Sequence, residues 1–99
     1  MKLLVVDSDR DMVEMVTGWL RTRGYEVHHA FTNERARQVW LEKRPDVVII
    51  DPESNGNDPL AMCRELRDAH DALILVFTRI HGEDAESAYL ENGYDSFLA

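Results

Sequence analysis

Two stretches of unbroken aliphatic residues each run into an aspartate: Leu3-Leu4-Val5-Val6 before Asp7, and Val47-Val48-Ile49-Ile50 before Asp51. Runs without polar alternation predict strands buried on both faces, as in a parallel sheet. The first strand is predicted at about Lys2 to Asp7, the third at Asp46 to Asp51 and the fourth at Leu73 to Thr78. Tyr25 to Ala30 alternates instead, with Tyr25, Val27 and His29 on one face, and reads as a half-exposed edge strand. Ser96 to Ala99 reads as a fifth strand met by the chain end.

Helical periodicity fills the gaps. From Asp9 or Arg10 to Arg23, an apolar face of Met12, Val16, Trp19 and Leu20 is predicted, with Gly24 as the residue after the cap. From Asn33 or Glu34 to Lys43, the face is Ala36, Val39 and Trp40, and Pro45 stops the helix. Asp58-Pro59 opens a third helix to Ala69, with Asp as N-cap and Pro at the first helical position. Glu83 to Asn92 is a fourth helix, closed by Gly93, and residues 52–57 are a loop by their turn residues. Trp19 and Trp40 are expected to pack in or at the edge of the core, and His29 to be partly buried.

Strand and helix alternate, so the expected fold is α/β, a doubly wound parallel sheet. In such sheets chemistry gathers at the carboxyl ends of the strands, at the topological switch point. Asp7 and Asp51 are expected to meet there, with Thr78 arriving from the fourth strand. Paired carboxylates repel one another unless a cation, a shared proton or a phosphoryl group accounts for them. Mg²⁺ suits the pair, because it takes one or two carboxylates with waters and phosphate oxygens. A carboxylate beside it can attack a phosphoryl donor and form an acyl phosphate.

At 99 residues and 44% hydrophobic content the chain makes one domain with a real core. Its net charge of −8 argues against direct nucleic-acid contact by this segment. One cysteine, Cys63, excludes an internal disulfide and falls in a helical pattern as a buried structural thiol. No apolar run approaches the ~20 residues that span a bilayer, and the start does not read as a signal peptide. A cytoplasmic location is expected. The four histidines are scattered without metal-ligand spacing.

The motifs together resemble the receiver domains of two-component response regulators. LLVVDSD resembles that family's first strand with its acidic loop. RPDVVIIDPESNGNDPLAMCRELR resembles the phospho-acceptor strand, loop and third helix. ILVFTR carries the switch threonine, and ENGYDSFLA leads to the last strand. The resemblance implies the flavodoxin-like strand order 2-1-3-4-5, here lacking the last helix. It implies that Asp51 accepts a phosphoryl group from a histidine kinase or phosphotransfer protein. Asp7, Asp51 and the Glu53 backbone carbonyl would hold Mg²⁺, and Ser8 would contribute weakly through a water. Thr78 would contact the phosphoryl group, and Phe97 matches the aromatic switch position. The domain would not be an enzyme beyond phosphorylation and dephosphorylation of Asp51 itself. A homodimer and a C-terminal output domain are further partners of the kind the family has.

Three features depart from the family pattern. Ser8 stands where a second acid is usual, which lowers the charge of the metal site. Asp9 is a candidate to make up part of that charge. Pro59 replaces a usual glycine, and Pro52 adds stiffness to the acceptor loop. The chain stops at Ala99, where the family continues with a lysine, a proline and a fifth helix, so the natural protein is expected to be longer.

Other readings fit less well. Asp7-Ser8-Asp9 matches the Asp-x-Asp of haloacid-dehalogenase-like phosphatases, but their later lysine and greater length are missing. Asp7 to Asp11 is no calcium loop, because Met12 stands where glycine is required. An FMN site would want Gly, Ser and Thr where this loop offers acids. The remaining alternative is a pseudo-receiver, an interaction module that is not phosphorylated.

Overall fold

The computed structural model describes residues 1–51, 59–77 and 96–98. Five strands form one sheet: β1 (Lys2–Val6), β2 (Glu26–Ala30), β3 (Val47–Ile50), β4 (Leu73–Phe77) and β5 (Ser96–Leu98). Their order is β2-β1-β3-β4-β5, and all four pairings are parallel. Three helices are described, α1 (Arg10–Thr22), α2 (Asn33–Lys43) and α3 (Pro59–Ala69). The expected strand order and α/β class are therefore observed. The expected helix at Glu83 to Asn92 and the loop at 52–57 lie outside the described residues.

Alternate side chains of each central strand serve opposite faces. Leu4, Val6, Val48, Ile50, Ile74 and Val76 pack with α2 and α3 residues into the larger core. Leu3, Val5 and Val27 pack with Val13 and Leu20 of α1 into the smaller one. Unbroken aliphatic runs are needed because helices cover both sides.

Each helix end has a local cause. Asp9 caps α1, its side chain accepting the Met12 N–H at 3.2 Å. Gly24 follows the C-cap with φ +89°, a conformation that glycine adopts without strain. Thr32 caps α2 by accepting the Arg35 N–H at 3.1 Å. The far end of α2 turns at Arg44, a left-handed residue with φ 51°. Pro45 disfavours right-handed helical backbone at the residue before it and so ends the helix there. α3 begins at Pro59, as read from the sequence.

Two expectations about packing need correction. The buried face of α1 is Val13, Thr17 and Leu20, rotated from the expected Met12–Val16–Trp19–Leu20 stripe. Trp19 is 57% exposed, with the Arg23 guanidinium stacked 4.5 Å from its ring centre. An aromatic ring under a cation loses less by remaining wet. On β2, only Val27 and Ala30 are buried, and His29 is exposed. β2 is a terminal strand, so its outer positions have no neighbouring strand to cover them.

Trp40 behaves as expected and is fully buried. Its indole N–H donates to the His70 carbonyl at 2.9 Å, joining α2 to the end of α3. His70 in turn donates from Nε2 to the Pro45 carbonyl at 2.7 Å, because a carbonyl only accepts. Cys63 is buried, also as expected.

Candidate functional site

Asp7 and Asp51 stand one residue beyond the ends of neighbouring strands. β1 and β3 pair in register up to Val6 and Ile50, so the two aspartates emerge side by side. Backbone bonds extend the sheet by one step to hold them. The Asp51 N–H donates to the Val6 carbonyl at 3.2 Å, and the Asp7 N–H donates to the Ala30 carbonyl at 3.2 Å. Both aspartates line one cleft of about 300 Å³, which runs along α1 past Met12, Val16 and Trp19.

The two carboxylates are not equally exposed. Asp7 is 3% exposed and Asp51 is half-buried. One Asp7 oxygen, Oδ1, accepts the Asp9 N–H at 3.0 Å, which folds the loop back over the strand end. The other, Oδ2, is buried and has no hydrogen-bond partner among the described residues. Burying an unpartnered carboxylate oxygen is costly, and a cation is the group that would satisfy it. The donor set is hard oxygen, which suits an alkaline-earth ion more than a transition metal.

The cluster is sparse. Among the described residues, no three or more His, Cys, Asp or Glu side chains gather in a way that could hold a metal. Ser8 is exposed and contributes no carboxylate. Asp9, expected to make up part of that charge, directs Oδ1 to the start of α1 as its cap. That role is visible in the sequence, since Asp before a helical pattern is a standard N-cap signal. Reading Asp9 as a charge substitute missed it.

Of the other expected site residues, Thr78 and Glu53 lie outside the described residues. Phe97 is described in its backbone alone, in β5 opposite Val76. Its strand therefore borders the strand that leads to Thr78. A pair that the sequence does not signal lies on the other side of Asp7. The Arg10 guanidinium sits 4.2 Å from the centre of the Phe31 ring. Phe31 directly follows β2 and Arg10 opens α1, so the contact closes the helix start over the sheet edge.

Among the described residues, no helix is long and apolar enough to cross a membrane. Comparison with known proteins agrees with this geometry. The family model for the response regulator receiver domain matches residues 3–99. Solved structures with the same fold include the BeF3-activated N-terminal receiver domain of Klebsiella pneumoniae RstA. It shares 23% identity and a TM-score of 0.88, over 99% of this chain and 84% of that one. A Burkholderia pseudomallei response regulator, solved with a phosphorylated aspartic acid, a calcium ion and citrate, shares 24% identity and a TM-score of 0.88. The match covers 99% of this chain and 58% of that one. A Clostridium difficile two-component response regulator gives 22% identity and a TM-score of 0.89, over 99% and 81% of the two chains. With a family match across almost the whole chain, and the fold and paired aspartates to support it, this protein belongs to the receiver domains of two-component response regulators.

Proposed function

We propose that Asp51 is a phospho-acceptor. Its carboxylate oxygen attacks the phosphorus of a phosphohistidine on a histidine kinase or phosphotransfer protein. The P–N bond breaks, an acyl phosphate forms, and the imidazole leaves with a proton. The observation that carries this reading is the juxtaposition of Asp7 and Asp51 in one cleft, with Asp7 Oδ2 buried and without a partner among the described residues.

Receiver domains bind a divalent cation, and a calcium ion accompanies the phosphorylated aspartate in the Burkholderia protein. The proposed ion here is Mg²⁺, held by Asp7, Asp51 and the Glu53 backbone carbonyl, with Ser8 acting through a water. When bound it supplies positive charge against the anionic oxygens of donor and acceptor. Thr78 is proposed to hydrogen-bond the transferred group and Phe97 to report its presence to an output partner. The two-carboxylate donor set makes Mg²⁺ binding weaker than a three-acid site would give.

The test is incubation with Mg²⁺ and acetyl phosphate, read by intact mass, with beryllofluoride binding read in parallel by Trp fluorescence. The expected result is one added phosphoryl group and a saturable beryllofluoride response, both lost in Asp51→Asn. A native chain that gives neither would overturn the assignment and leave an interaction module without phosphorylation.

A further inference from the structure

A second cleft, of about 270 Å³, straddles the free edge of β2 on the side away from Asp51. It collects Arg21 from the last turn of α1 and Arg35 and Lys43 from α2. His28 and His29 of β2 also line it, and Phe31 and Val39 give it an apolar floor. One carboxylate, Glu42, faces the same space, and lies 3.8 Å from the Lys43 ammonium. Three fixed cations against one anion leave the cleft at +2 before either imidazole is protonated. That is unusual on a chain of net charge −8.

Arg21 and Arg35 are held by neutral partners, whereas Lys43 acts on Glu26 as well as on Glu42. The Arg21 guanidinium donates from one terminal nitrogen to the outward carbonyl of Val27 at 2.8 Å, which fixes the fork beside the strand edge. Arg35 donates one N–H to Gln38 at 3.2 Å, a neutral partner. His28 contacts Glu26 at 2.9 Å, but Glu26 does not line the cleft. That hydrogen bond, with the imidazole's charge behind it, keeps the exposed Glu26 carboxyl below the usual carboxylate range.

We propose that this cleft is a binding site for a small phosphate-type oxyanion, inorganic phosphate or a phosphate monoester. A net charge of +2 matches a phosphate dianion better than a single carboxylate. Two guanidinium groups offer the forked N–H geometry that phosphate oxygens accept. The site is independent of Asp51, since none of its lining residues lines the cleft shared by the two aspartates.

Titration of the whole chain with inorganic phosphate and with phenyl phosphate, followed by ¹H–¹⁵N NMR without divalent metal, tests the proposal. Expected is a saturable change confined to Arg21 and to residues 28–31 and 35–43, retained in Asp51→Asn. The double variant Arg35→Gln, Lys43→Gln should weaken binding at least about tenfold, because it removes two of the three fixed charges. Both side chains lie on the exposed part of α2, so the fold tolerates their loss. Non-saturating shifts, or equal affinity in the double variant, would overturn the site. So would binding of a short poly-glutamate peptide where neither phosphate binds, which would make the cleft a protein-docking surface instead.

Discussion

Asp7, Ser8 and Asp9 are consecutive, yet each side chain meets a different environment. Asp7 is buried at the strand end with one oxygen lacking a partner among the described residues, Ser8 is exposed, and Asp9 caps α1. The site charge is therefore set by which residue faces the cleft, and not by how many acids the loop contains. Ser8→Asp is expected to tighten Mg²⁺ by about tenfold, the equivalent of about 1.4 kcal/mol of added attraction. Fluorescence titration can follow it, because Trp19 lines the same cleft as Asp51. Unchanged or weaker affinity would refute the account of Ser8. Asp9→Ala should instead cost stability, about 1 kcal/mol, through loss of the cap. Urea unfolding measures that loss. If Asp9→Ala weakened Mg²⁺ as much as Asp7→Asn does, Asp9 would belong to the metal site after all.

The helices show how similar residues acquire opposite roles. Trp40 of α2 is buried and bonded to the His70 carbonyl, whereas Trp19 of α1 is mostly exposed under Arg23. Trp40→Ala should destabilise by about 3–5 kcal/mol, from lost packing together with an orphaned carbonyl. Trp19→Gln should stay within about 1 kcal/mol of the native chain, since its ring is not part of either core. Chemical denaturation of the two variants decides it, and equal losses would contradict the packing described. On α1 the expected face of Met12, Val16, Trp19 and Leu20 keeps Leu20 buried and Val16 partly buried against the core, while Val13 and Thr17 are buried and Trp19 is left outside.

Charge is divided unevenly over the whole molecule. Residues 1–51 carry nine acidic and eight basic side chains, whereas residues 52–99 carry ten and three. The excess negative charge therefore belongs almost wholly to the second half, and the basic cleft at β2 lies in the nearly balanced half. Like charges concentrated in that half repel, and salt screens them. Raising NaCl from about 10 to about 150 mM shortens the screening length from roughly 30 to 8 Å. A rise in Tm of several degrees is expected, read by circular dichroism without divalent metal. A Tm that fell or stayed constant would show that favourable ion pairs outweigh the repulsion.

The sequence by itself determined the architecture and one half of the site. Four-residue aliphatic runs have few alternatives to buried parallel strands, and an aspartate directly after each run is carried to the same sheet edge by the pairing. Helix ends were legible for the same reason: Gly24, Pro45 and Pro59 act through their own backbone restrictions, whatever surrounds them. Only the tertiary structure decided the rest. Which stripe of α1 is buried, that His29 is exposed, that one Asp7 oxygen lacks a partner among the described residues, and that Arg21 and Arg35 share a cleft all depend on contacts between segments distant in sequence. Local propensity fixes a residue's backbone, but its side chain's environment is assembled by neighbours that the local pattern does not name.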